Sequence, residues 1–371
     1  MFIMVWVVYL SVLPPKWGLN REETIMRGPT RRAFVYGIGT ATLVPLASGD
    51  VAAREAGGPI RTVVAFDPAA GELPESVAFD TEGNGYVTLG SGAIRRFSPR
   101  DLRLGSPGED FATVPDFEPG VDLLLGVTVA PDGTVYAVST SATIDLEALS
   151  LAPSGGTVWR IGPDGTADRL VDLPTDPDED GFPNDLLYRD EHDDLLVTDS
   201  LGGAIWRVTL EGEASPWLTD PLLEPDPEAP FLPIGVNGIV AGDEGIYVAN
   251  TTAASLVHVP TGPDGAAGTP HLVAQEEQLF GADGIALDAE GNAYVAVAVI
   301  EAVARVGPGG TVEIVAGGEG LAFPSALAFG TAPGQRCTLF VTNFDAVEAL
   351  TGGDPEPSLA ALDVGIPGRP V

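Results

Sequence analysis

From about Ile60 onward the chain alternates short apolar runs with clusters of Gly, Pro, Asp and Asn. The runs are rich in Val, Ile, Leu, Tyr and Phe and too short for globular helices, so they read as strands. Five times a run, a turn and a second run recur: PESVAFDTEGNGYVT, LGVTVAPDGTVYAV, PNDLLYRDEHDDLLVT, VNGIVAGDEGIYVAN and ADGIALDAEGNAYVAV. A looser sixth copy is PSALAFGTAPGQRCTLFVT. The turns Glu82-Gly83-Asn84, Pro131-Asp132-Gly133 and Glu290-Gly291-Asn292 suit tight hairpins, because Gly and Asn accept positive φ at low cost. Further strands follow each hairpin, as at Thr157–Ile161, Ala204–Thr209, Ser255–Val259 and Val303–Val306.

The copies start roughly 40 to 60 residues apart, the period of a four-stranded propeller blade. Six starts predict an all-β, six-bladed β-propeller in one domain, residues 60–371. The last copy supplies only three strands, Pro324–Gly330, Cys337–Thr342 and Ser358–Val364. The orphan strand Arg61–Phe66 is expected to complete it, joining the two chain ends in one blade and covering its edge.

Eight residues before each turn position (Gly83, Gly133, His192, Gly245, Gly291) stand Glu75, Leu125, Asn184, Asn237 and Asp283, with Ser325 in the sixth copy. In a propeller the first strand of each blade lines the central channel, so these positions share one mouth. Two carboxylates and two amides, Glu75, Asn184, Asn237 and Asp283, are therefore expected to converge there. All-oxygen ligation with amide carbonyls suits Ca²⁺ best, with Mg²⁺ or Mn²⁺ as alternatives, and does not suit Zn²⁺. The competing reading is that Asn and Asp merely cap strand starts; four in register, none of them basic, favour the metal.

Composition narrows the function. Asp and Glu number 53 against 18 Lys and Arg, giving a net charge of −35 and a pI near 4.1. Such a surface repels phosphate backbones, which argues against nucleic-acid partners, and a dense carboxylate coat fits a saline environment. Cys337 is the single cysteine, so no internal disulfide forms; it is expected to be buried in its strand. His192, His258 and His271 are not near one another in sequence and are assigned to surface or strand packing, the alternative being a His pair that the fold brings together. No Gly-x-Ser-x-Gly elbow, His-Glu-x-x-His or phosphate loop is present. Asp176–Gly181 opens like a calcium loop, but Leu187 stands where a bidentate Glu is needed.

Thr30-Arg31-Arg32-Ala33-Phe34-Val35, a moderately apolar stretch over Tyr36–Ala47 and small residues through Ala53 have the order of a twin-arginine export signal. The signal is assigned to residues 26–55, and residues 1–25 are read as an over-extended start. The expected product is a secreted monomer without a stable membrane anchor.

Pro74-Glu75, Asn184-Asp185, Asn237-Gly238 and Asp283-Gly284, in order and at blade-length spacing, resemble the senescence-marker-protein/gluconolactonase/luciferin-regenerating-enzyme-like family, over about Pro74–Asp345. The resemblance implies a divalent metal held by Glu75, Asn184, Asn237 and Asp283, hydrolysis of a lactone or related ester with the cation polarising the carbonyl, and Asp283 as base or nucleophile. The chain departs from that family at Ser76-Val77, Phe182-Pro183 and Leu186, where glycine-proline, a sugar-contacting arginine and a glycine are common. A less polar ester or lactone is therefore as well supported as a sugar lactone. The alternative is a noncatalytic propeller that binds a ligand or partner at the same mouth.

Overall fold

The computed structural model describes residues 58–145, 148–173, 181–345, 348–349 and 353–369. The export signal, the over-extended start and nearly all of the Asp176–Gly181 loop lie outside the described residues.

Among the described residues six four-stranded antiparallel sheets succeed one another, and the first strands of successive blades neighbour each other around a central axis. These inner strands are Pro74–Phe79, Asp122–Val129, Pro183–Arg189, Val236–Ala241, Ala282–Leu287 and Pro324–Phe329. The sixth sheet draws its outer strand, Arg61–Ala65, from the N-terminal side. That strand pairs with Ser358–Asp363 in the register Arg61 to Ala361 and Ala65 to Ser358. The six blades and the closing strand are those expected from the repeats.

Alternation within each strand builds the core. In blade one Val87 and Leu89 pack toward Phe340 and Leu359 of blade six, while Tyr86 packs toward Val127 and Val135 of blade two. Each blade therefore spends both faces on its neighbours, and six apolar clusters fill the gaps between adjacent blades. No single blade could bury such faces alone. The hairpin turns form locally: Asp80 accepts the backbone N–H of Glu82 and Asn84 at 2.9 and 2.8 Å, and Asp288 does the same for Glu290 and Asn292 at 2.9 Å each. Gly83 and Gly291 take φ of 91° and 80° there.

Two local expectations change. Cys337 is only half-buried and lies just ahead of its strand, which begins at Thr338. A short helix, α1 (Pro99–Leu104), interrupts the strands of blade one; Ser98 and Asp101 form a capping box at its start, and Leu102 is its buried anchor. Among the described residues no helix is long and apolar enough to cross a membrane.

Candidate metal centre

A β-bulge breaks the register of every inner strand at the same place. The breaks fall between Pro74 and Val77, Leu124 and Val127, Pro183 and Leu186, Val236 and Ile239, Ala282 and Ile285, and Pro324 and Ala326. Glu75, Leu125, Asn184, Asn237, Asp283 and Ser325 all sit inside these bulges. A bulge re-aims the side chains it contains, and here it points most of them at the axis. The repeat spacing locates these positions; the bulge that makes them a site is a feature of strand pairing.

The bulges surround one pocket, lined by Glu75, Ser76, Gly126, Asn184, Asp185, Asn237, Asp283, Gly284, Ser325 and Ala326. Counted out to its open mouth, its empty volume is about 190 Å³. All four predicted ligands are in its wall, and no basic side chain is. Leu125 is not: its side chain packs between blades two and three with Phe182, Ala142 and Leu151. Blade two presents Gly126 to the pocket instead. A side chain at Gly126 would collide with Asp185, and one at Gly238 or Gly284 would collide with the backbone of the next inner strand, so small residues set how closely the strands approach.

Hydroxyls on the second strands fasten the bulges together. Thr88 Oγ1 accepts Ser76 N–H at 2.9 Å and donates to the Leu125 carbonyl at 2.7 Å. Thr198 repeats this between Asp185 N–H, 3.0 Å, and the Asn237 carbonyl, 2.7 Å. Thr342 repeats it between Ala326 N–H and the Glu75 carbonyl, both 2.9 Å. The two amides are oriented by a second set of hydroxyls. Asn184 Nδ2 donates to Ser200 Oγ at 3.0 Å and Asn237 Nδ2 to Thr251 Oγ1 at 3.1 Å. Those hydroxyls in turn donate to the carbonyls of Val236 and Ala282, at 2.7 Å each. Fixing the amide nitrogens to hydroxyls leaves each carbonyl oxygen available to a ligand.

The electrostatics are one-sided. Burial, then the charges of Asp283 and Asp185, push the Glu75 carboxyl well above its ordinary value. Burial and Asp185 do the same to Asp283, partly offset by a hydrogen bond from Asn237. Asp185, to which the repeat pattern assigns no role, is pushed up to about 7 by burial, against hydrogen bonds from the backbone of Ile239 and Leu186. Those bonds, at 3.1 and 2.8 Å, occupy both of its oxygens. It lines the pocket and adds a third carboxyl group to it. Asp185 belongs to the Asn184-Asp185 pair of the family motif, but the repeat offset does not reach it; its place in the bulge brings it to the pocket.

The donor set fits a hard divalent cation: the carboxylates of Glu75 and Asp283, two oriented amide oxygens, the third carboxyl of Asp185 in the same wall and no basic side chain. Among the described residues no three His, Cys, Asp or Glu side chains are grouped so as to hold a metal ion by themselves.

Residues 236–344 match the SMP-30/Gluconolactonase/LRE-like region. The matched stretch runs from blade four into blade six and contains Asn237, Asp283 and Ser325. The fold is similar to those of several solved structures. A luciferin-regenerating enzyme shares 11% identity with a TM-score of 0.57, over 84% of this chain and 97% of that one. A gluconolactonase from Xanthomonas campestris shares 15% with a TM-score of 0.54, over 84% and 89%. The PQQ-bound aldose sugar dehydrogenase from Streptomyces coelicolor shares 16% with a TM-score of 0.52, over 82% and 98%. No curated protein sequence matches the chain. The chain is thus a six-bladed β-propeller, and the family resemblance read from its motifs is supported by the match over residues 236–344. At such identities the structural likeness carries the fold alone, and the chemistry rests on the pocket.

Proposed function

We propose that the chain is an exported, divalent-cation-dependent hydrolase of a lactone or related ester, acting as a monomer, with Ca²⁺ the best-fitting ion. The observation that carries this reading is the axial pocket lined by Glu75, Asn184, Asp185, Asn237 and Asp283, with no basic side chain in the wall. Glu75, Asn184, Asn237 and Asp283 would hold the cation, which when bound polarises the substrate carbonyl. Asp283 takes a proton from the attacking water and returns it to the alkoxide as the ring or ester C–O bond breaks. Asn237 orients that carboxylate through its hydrogen bond, and Thr251 fixes Asn237. Ser76, Gly126, Gly284 and Ala326 keep the surrounding wall small. Beyond the proposed ligands and Asp185, the wall offers few polar groups, and Phe182 turns into the apolar cluster around Leu125. This favours a less polar ester or lactone over a sugar lactone. Export is supported by the sequence alone, in which Arg31-Arg32, an apolar stretch and small residues follow one another as in a twin-arginine signal.

Asp283→Asn tests the reading. It keeps an oxygen and the volume but loses the base, so turnover on a panel of lactones and aryl esters with Ca²⁺ should fall at least about 10²-fold with the fold intact. Wild-type protein that neither hydrolyses the panel nor binds a divalent ion would favour the noncatalytic ligand-binding propeller instead. Full activity in Asp283→Asn would remove the base assignment.

A further inference from the structure

Two of the three histidines, distant in sequence, meet on blade four. His258, in the third strand (Ser255–Pro260), lies directly opposite His271, which opens the fourth strand (His271–Gln275). Their rings are 5.0 Å apart at 74°. On the other side of His258 the ring of Tyr247 stands 4.6 Å away at 43°, so three rings form a row across the sheet. His258 is only 8% exposed and its Nε2 is buried without a hydrogen-bond partner, whereas His271 is exposed. A buried ring nitrogen without a partner is costly, and the row of aromatic contacts does nothing to satisfy it.

We propose that His258 and His271 form a second metal site, independent of the axial pocket, for an imidazole-seeking divalent transition ion such as Zn²⁺, Ni²⁺ or Cu²⁺. Directly opposed residues of an antiparallel pair hold their Cβ atoms about 4.5–5.5 Å apart, a span across which two imidazoles can turn onto one ion. Nitrogen ligands select these ions over Ca²⁺, so the two sites are chemically distinct. Burial and the neighbouring His271 keep His258 neutral, the form that ligates. Glu244 lies within electrostatic reach of His258, and the acidic coat concentrates cations at the surface. The exposed side at His271 gives the ion its entry and leaves its remaining positions to water. Once bound, the ion ties the outermost strand of blade four to the third and stabilises the fold by mass action.

The test is metal titration of tag-free full chain in saturating Ca²⁺. Wild type is expected to give a Cu²⁺ electron paramagnetic resonance spectrum with coupling to two imidazole nitrogens, and a Zn²⁺ isotherm with one site. His271→Ala, at an exposed position, should weaken Zn²⁺ binding at least about tenfold and remove the two-nitrogen coupling. His258→Gln should do the same. His192→Ala and Glu75→Gln should leave both signals unchanged, the latter weakening Ca²⁺ binding only. Absence of two-nitrogen coupling in wild type, or Zn²⁺ affinity unchanged in His271→Ala, would overturn the proposal. If His258→Gln does not fold, the exposed His271→Ala variant still decides.

Discussion

Removing cations from the axial pocket should make rising pH destabilising, and Asp185 gives the magnitude. Its carboxyl titrates at about 7 in the folded chain against an ordinary 3.8. A carboxyl with a raised folded value favours folding while protonated and loses that contribution as pH climbs through the folded value. The shift is about 3 pH units, and at about 1.4 kcal/mol per unit the full loss is about 4 kcal/mol. Water reaches this part-buried group through the mouth, so that figure is a ceiling. About 3 kcal/mol of it falls between pH ~5 and pH ~8. Glu75 and Asp283 are raised in the same direction and add to the fall. His258 opposes it, because its lowered value makes the neutral ring the favoured folded form as pH rises past its ordinary value. The comparison with Asp185→Asn isolates the pocket. The assay is urea unfolding of chelator-treated protein at about pH 5 and about pH 8, at constant high salt, with and without Ca²⁺. Chelated wild type should lose stability toward alkaline pH, Asp185→Asn should lose up to about 3 kcal/mol less, and Ca²⁺ should flatten the wild-type slope. Wild-type and Asp185→Asn slopes that coincide in chelator would refute the buried-charge account.

The remaining predictions address the frame. Thr342→Val leaves Ala326 N–H unpaired beneath the Glu75 bulge and should cost about 1–3 kcal/mol in urea unfolding while weakening Ca²⁺ binding by calorimetry. Asp194 is fully buried between Arg189, at 2.8 Å, and Arg207. Asp194→Ala leaves the buried Arg189 without its carboxylate, with only the Gly265 carbonyl and the Trp217 ring beside it, and should cost about 3–5 kcal/mol, read from the shift of the denaturation midpoint. Deleting 60–66 removes the strand that covers Ser358–Asp363; lost cooperativity in calorimetry is expected, and unchanged unfolding would count against closure by the two chain ends.

The repeats alone determined the fold. A blade is a local object: apolar alternation, an Asx or glycine turn and a return strand are all written within about fifteen residues, as in Pro74–Leu89. Six such units have few ways to bury both faces except against one another, so the ring and its closure by Arg61–Ala65 follow from the order of apolar runs and turns. The register of Glu75, Asn184, Asn237 and Asp283 was legible for the same reason, since equal offsets within equal blades land on one level of the axis. What the sequence did not contain is the direction of each side chain. Leu125 shares the register yet turns into the cluster with Phe182, and Asp185 sits one residue beyond a predicted ligand yet brings a third carboxylate to the pocket. Both outcomes are set by the bulges and by hydroxyls such as Thr198 reaching the next blade. Likewise His258 and His271, thirteen positions apart, become neighbours only when their strands pair. Position along a strand is a one-dimensional property that spacing records. Side-chain orientation and the charge it accumulates depend on hydrogen bonds and contacts between blades, which exist only once the ring has closed.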